Sequence, residues 1–127
     1  MKGGDIPVQA VQVFSEQEVD FGGTVHFFWN WAAPNDIVPP RRTLEVETLT
    51  LNYFPAGGGA IGRADVAGRD ATNSAVWRVQ IVYVEPNKTV HLPFPRGLRL
   101  KAGGHVELSF TSDGPGKIFA SANGLLV

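Results

Sequence analysis

The stretch Ala75-Val-Trp-Arg-Val-Gln-Ile-Val-Tyr-Val84, followed at once by Glu85-Pro-Asn-Lys88, sets the reading of this chain. Trp77, Val79, Ile81 and Tyr83 fall on one parity; Val76, Arg78, Gln80, Val82 and Val84 fall on the other. A period of two is the mark of a pleated strand, whose successive side chains point to opposite faces. β-Branched and aromatic residues fill the run, and the Pro-Asn pair after it has turn chemistry. Both faces are partly apolar, which places this strand in the interior of a sheet.

The same period recurs on either side. On Thr24–Trp31, Val25, Phe27, Trp29 and Trp31 share one face. Thr43–Phe54 holds Leu44 and Val46 in one phase and Leu49, Leu51 and Tyr53 in the other, so a β-bulge is expected near Glu47 and Thr48. A similar slip in Ile6–Phe14 predicts a bulge near Ala10 and Val11, and Asp20-Phe-Gly-Gly23 reads as a turn. Thr89–Phe94 alternates but carries Pro93 and reaches Pro95, which cannot donate ladder hydrogen bonds and so put this strand at a sheet edge or end it early. Gly97–Leu100 is a brief strand, Ala102-Gly-Gly104 a hairpin-like turn, and His105–Thr111 a strand. A turn at Ser112–Gly116 and a last strand from Lys117 complete the chain. Pro55–Asn73, with Gly57-Gly-Gly59, is the least patterned part, with at most a short edge strand over Ala60–Val66.

Fifteen Gly and nine Pro are spread over 127 residues, and no segment sustains a 3.6-residue period. The expectation is all-β: one domain over residues 1–127, an antiparallel two-sheet sandwich of about eight strands. A jelly-roll order suits it best, an immunoglobulin-like order being the alternative. Met1-Lys-Gly-Gly-Asp5 is expected to be a flexible N-terminal arm. A chain of this length buries roughly two thirds of its surface, enough for a core without covalent staples.

Composition excludes several classes. There is no Cys, hence no disulfide framework and no thiolate metal site. The net charge of −1 and the scattered Lys and Arg give no stripe for phosphates, so nucleic acid is not an expected partner. No apolar run reaches the roughly 18 residues of a membrane helix, and no signal-peptide pattern opens the chain. The charged fraction, 18%, is below the usual quarter or so, which fits a surface covered by something else or one rich in Thr, Ser, Asn and Gly.

The catalytic and ligand motifs are equally thin. His26, His91 and His105 stand apart and form no His-x-His pair, so no metal is expected. Glu45 and Glu47 read as the wet face of a strand rather than as a glycosidase pair. There is no Gly-x-Ser-x-Gly elbow, no phosphate-loop ending after Gly57-Gly-Gly59, and no calcium-loop spacing among Asp65, Asp70, Asn73 and Asp113. No catalytic residue and no cofactor are therefore expected. What remains for recognition is Trp31, at a strand end beside the Pro39-Pro-Arg-Arg42 loop, with Arg41, Arg42, Arg63 and Arg69, since Trp and Arg are enriched at interfaces.

The segment Thr89-Val-His-Leu-Pro-Phe-Pro-Arg-Gly-Leu-Arg-Leu-Lys-Ala-Gly-Gly-His-Val-Glu-Leu-Ser-Phe110 has a particular cadence. A strand runs into Phe-Pro-Arg-Gly, then Leu-Arg-Leu, a Gly turn and another strand. It resembles the closing strands of small jelly-roll domains in phage virion proteins: head decorations, head fibres and tail receptor-binding modules. The resemblance covers the C-terminal third and carries over no binding residue. It implies a non-enzymatic, trimeric component on a particle, located in the virion, or in the cytoplasm before assembly. Its partners would be copies of itself and a capsid or tail protein. Two other readings stand beside it: a carbohydrate-binding module contacting a surface glycan through Trp31, the Pro39–Arg42 loop and the loop acids, and a small metal-dependent enzyme built from scattered His and Asp.

Overall fold

In the computed structural model, residues 10–31, 36–55, 61–112 and 116–127 are described here. They form eight strands: β1 (Val11–Asp20), β2 (Thr24–His26), β3 (Thr43–Pro55), β4 (Gly62–Arg69), β5 (Ala75–Val84), β6 (Thr89–Lys101), β7 (His105–Ser112) and β8 (Gly116–Leu126). The arm at residues 1–5, the start of the expected first strand, Gly57-Gly-Gly59 and Asp113-Gly-Pro115 lie outside the described residues.

The strands pair in two antiparallel sheets, β1-β8-β3-β6 and β2-β7-β4-β5. In each sheet the partners are nested: β1 with β8 and β3 with β6 in the first, β2 with β7 and β4 with β5 in the second. A long antiparallel ribbon folded over on itself gives this order, and two Greek keys closed into a double sheet are a jelly roll. The expected sandwich is therefore present, and the choice between the two strand orders is resolved. Among the described residues no helix is long and apolar enough to cross a membrane.

Alternation decides what each strand buries. The first sheet turns Val13, Leu44, Val46, Leu49, Leu51, Tyr53, Leu100, Ile118 and Leu126 inward; the second turns Phe27, Val66, Val106, Leu108 and Phe110 onto them. Tyr53 and Phe110 are fully buried and meet edge to face across the sandwich, 5.1 Å between ring centroids. The bulge expected in β3 is there: Val46 faces Gly124 and Thr48 faces Asn123, leaving Glu47 without a partner.

Four expectations need correction. First, β5 is not interior; among the described residues it is an edge strand of the second sheet, at the end opposite β2. Its two apolar faces come from bulges. Val76 is an extra residue between the pairs Arg69↔Ala75 and Gly68↔Trp77, and Val82-Tyr83 stand opposite one residue between Ala64↔Ile81 and Gly62↔Val84. Tyr83 thus leaves the inward phase and is 68% exposed, while Val84 is fully buried.

Second, the weakly patterned stretch before Asn73 contains β4, an eight-residue strand lying between β7 and β5 rather than at an edge. Its inward residues are small because large rings lie over them. A Cβ at Gly62 would stand 2.7 Å from a Phe110 ring carbon, and one at Gly68 would overlap the Trp77 indole. Third, Ala102-Gly-Gly104 makes a turn, with Gly104 N donating to Lys101 O at 3.1 Å, but it carries the chain from one sheet to the other rather than closing a hairpin.

The second expected strand also divides. Only Thr24–His26 pairs with β7; the chain then crosses to the other sheet, where Trp29 bridges Ser15 of β1. Phe27 and Trp29 are buried as their parity requires.

Candidate contact surfaces and a histidine cluster

The outward face of the second sheet is a continuous polar network set by register. Thr24 of β2 faces Ser109 of β7, which faces Asp65 of β4, which faces Gln80 of β5. The Thr24 and Ser109 hydroxyls are 3.0 Å apart, and Arg78 clamps Asp65 with Nε 3.0 Å from both carboxylate oxygens. Burial works to raise the Asp65 pKa; the Arg78 and Gln80 bonds and the charges of Arg78 and Arg63 outweigh it, so the carboxyl lies below its ordinary value.

One register step along, the network becomes denser. His26 of β2 faces Glu107 of β7, and His105, two residues before Glu107, faces Arg69 of β4. The His26 and His105 rings stack, centroids 4.2 Å apart and 21° between planes. His26 Nδ1 lies 2.7 Å from Asp36 Oδ2. Glu107 receives the Arg69 Nε hydrogen bond on Oε1 at 2.6 Å and turns Oε2 toward both histidines, 3.6 Å from His105 Nε2 and 3.9 Å from His26 Nε2. The expectation of isolated histidines thus fails for two of the three. No sequence signal could have found the pair: it is made by cross-strand register between strands far apart in the chain.

The other outward face, that of the first sheet, is more apolar. Phe14, Phe54 and Phe119 are each between 40 and 55% exposed, and Phe54 and Phe119 meet edge to face at 5.5 Å. Beside Phe119 lies an open depression of about 370 Å³ lined by Glu16, Glu18, Asn52 and Ser121.

The five residues expected to recognise a partner fall in separate places. Trp31 is half-buried and stacks on Trp29, 5.6 Å between centroids and 12° between planes, so it packs against the core more than it presents a platform. Arg41 is exposed with φ 63°, in the turn that Arg42 N closes on Pro39 O, and Arg42 Nη1 donates to Leu126 O at 3.3 Å. Arg63 is exposed on the outward face of β4. Arg69 also lies on β4, with its guanidinium donating to Glu107 and to the Asn73 carbonyl. Only Arg69 takes part in a converging group, the histidine cluster.

Strand order and these surfaces define the class: a jelly roll with one polar and one partly aromatic outer face. No family model matches the chain, and no curated protein matches it. Among solved structures, the chain is similar to one described as the structure of infectious bursal disease virus Gx strain, at 10% identity and a TM-score of 0.47, over 94% of this chain and 32% of that one. A VP2 subviral particle of the same virus gives 11% identity and 0.47, over 93% and 32%. This chain spans about a third of the length of those it matches. Likeness at this level carries no argument about ligand, partner or assembly.

Proposed function

We propose that this protein works by contact rather than by chemistry, as a structural or adhesive subunit that associates with copies of itself. The observation that carries this reading is β5. A free sheet edge is a template for another strand, and proteins guard such edges. Edge strand β6 carries Pro93 and Pro95, β2 is only three residues long, and β1 is covered by the 28–30 segment, with Asn30 N donating to Phe14 O. β5 has ten residues and no proline, with Val76 and Tyr83 exposed on it. Its one charge, Arg78, is neutralised by Asp65 at 2.7 Å, so little repels a second copy.

The finer reading, a decoration, fibre or attachment component of a virion, rests on the cadence of Thr89–Phe110. Size-exclusion chromatography with light scattering tests the general one. Wild type at micromolar concentration is expected to run as a defined oligomer, and the Val76→Lys/Tyr83→Lys variant, which alters only exposed residues, as a monomer. A wild type that stays monomeric up to about 100 µM, well above ordinary working affinities, overturns the proposal.

A second reading, glycan binding, has its own observation, although at a different place from the Trp31 loop. An exposed aromatic ring flanked by two carboxylates, an amide and a hydroxyl, as around Phe119, has the chemistry of a sugar subsite. A glycan array with Phe119→Ala as control tests it, and a blank array ends it.

A further inference from the structure

His105 Nε2 is buried and has no hydrogen-bond partner among the described residues. An unpaired buried polar atom costs free energy and asks for an explanation. Its surroundings supply one. His26 Nδ1 is held by Asp36, so that ring's free nitrogen is Nε2, on the side of Glu107. Glu107 has one oxygen tied to Arg69 and the other facing the two imidazoles. His26, His105 and Glu107 thus each offer one donor atom, and the three atoms lie within 4.8 Å of one another.

We propose that His26, His105 and Glu107 bind one divalent first-row transition-metal ion of the zinc type on the outer face of the second sheet. Zinc takes nitrogen and carboxylate oxygen at about 2.0–2.2 Å, which sets donor atoms somewhat over 3 Å apart. The His105–Glu107 separation of 3.6 Å is already close to that, and the 3.9 Å to His26 needs only a small inward movement. Two imidazoles and one carboxylate select zinc, cobalt, nickel or copper over calcium and magnesium, which prefer all-oxygen sets. Asp36 and Arg69 are positioning residues. A carboxylate on the far nitrogen of a ligating histidine fixes its tautomer and orientation, and Arg69 holds Glu107 with one oxygen inward.

The rings, nearly parallel in the stack, turn apart as their lone pairs converge on the ion. His26, 42% exposed, leaves a side open to water. The ion would staple β2, whose pairing spans only three residues, to β7. The role is structural and does not rest on self-association.

Titration calorimetry of chelator-treated protein with zinc chloride near pH 7.5 is the test, with cobalt(II) absorbance reporting coordination. One equivalent is expected, with a visible cobalt band. His26→Gln, at a partly exposed edge position, is expected to keep the fold by circular dichroism and weaken binding at least tenfold. Asp36→Asn weakens it about 10–100-fold, and His91→Gln, distant on β6, leaves it unchanged. The proposal is overturned if no stoichiometric zinc binds. It is equally overturned if folded His26→Gln and His105→Gln variants bind as wild type does, or if His91→Gln abolishes binding.

Discussion

Trp77 of β5 lies across Gly68, its partner on β4, and reaches over the open side of the sandwich to donate its indole N–H to the Arg99 carbonyl of β6 at 3.0 Å. One side chain thereby ties the free edge of the second sheet to an edge of the first, and it can do so only because residue 68 has no Cβ. Gly68→Ala is expected to displace the indole, break that bond and destabilise the fold by about 1–3 kcal/mol, the usual cost of overpacking. Urea unfolding measures the loss, and tryptophan emission should move to the red. Trp77→Phe, which keeps the ring over Gly68 but drops the donor, should cost less, about 1 kcal/mol. Equal stability of Gly68→Ala and wild type would show that the contact is not a constraint.

Ser15 makes the second link between sheets. It is 1% exposed, and its Oγ donates to the Phe28 carbonyl at 2.8 Å, where the chain crosses from β2 to lie against β1. Ser15→Ala leaves that carbonyl without its partner and is expected to cost about 1–3 kcal/mol. Hydrogen exchange at the Asn30 amide, which donates to Phe14 O, should speed up with it. Unchanged exchange in a destabilised variant would place the cost elsewhere.

How much of this was legible beforehand varies element by element. The β3 bulge was, because two apolar phases on either side of Glu47 admit few other backbones. The edge position of β6 was one of two readings its prolines admit, the other being an early end; the strand instead runs on through the Gly97–Leu100 segment to Lys101. The edge position of β5 was not legible. Its apolar outer face comes from bulged Val76 and Tyr83, and periodicity alone cannot separate a bulged edge from a buried centre. A short edge strand over Ala60–Val66 was legible, but the full length and interior place of β4 were not, because Gly62 and Gly68 are small to make room for Phe110 and Trp77, which lie distant in sequence or on the next strand. The His26–His105 stack was invisible for the same reason: alternation tells which face a residue takes, never which strand lies beside it. A strand-end position suggests Trp31 for recognition, but its stacking on Trp29 depends on the path of the crossing segment.

Acid should weaken the fold through the β4–β5 hairpin. The Asp70 carboxylate accepts from the Thr72 hydroxyl at 2.6 Å, the Ser74 amide at 3.0 Å and the Thr72 amide at 2.9 Å, which together hold its pKa below the ordinary value. Asp65 is lowered as well, against a desolvation that would raise it. A depressed folded-state pKa gives stability that is fully present above the unfolded value, about 3.9, and lost as pH falls through the folded one. Urea midpoints should therefore be flat from pH 6 to about 5 and fall below about 4. Asp70→Asn should be less stable at pH 6 and show a shallower fall. A variant whose pH profile runs parallel to wild type would remove Asp70 from the account.

The prolines of β6 offer the sharpest check on edge protection. If Pro93 and Pro95 guard that edge by withholding N–H groups, the Pro93→Thr/Pro95→Thr variant gains two donors on a strand already rich in apolar residues. Under the proposed self-association, wild type pairs through β5, the long unguarded edge among the described residues, across a two-fold axis and stops. A subunit with open edges on both sheets can recruit a neighbour at each, and contacts that do not close grow into chains. Light scattering of the double variant should show species that enlarge with concentration and time, while wild type keeps a fixed size. Adding Val76→Lys and Tyr83→Lys should cap the growth, because only the β6 edge then remains open. A double variant with the wild-type size distribution would mean that something other than proline protects β6.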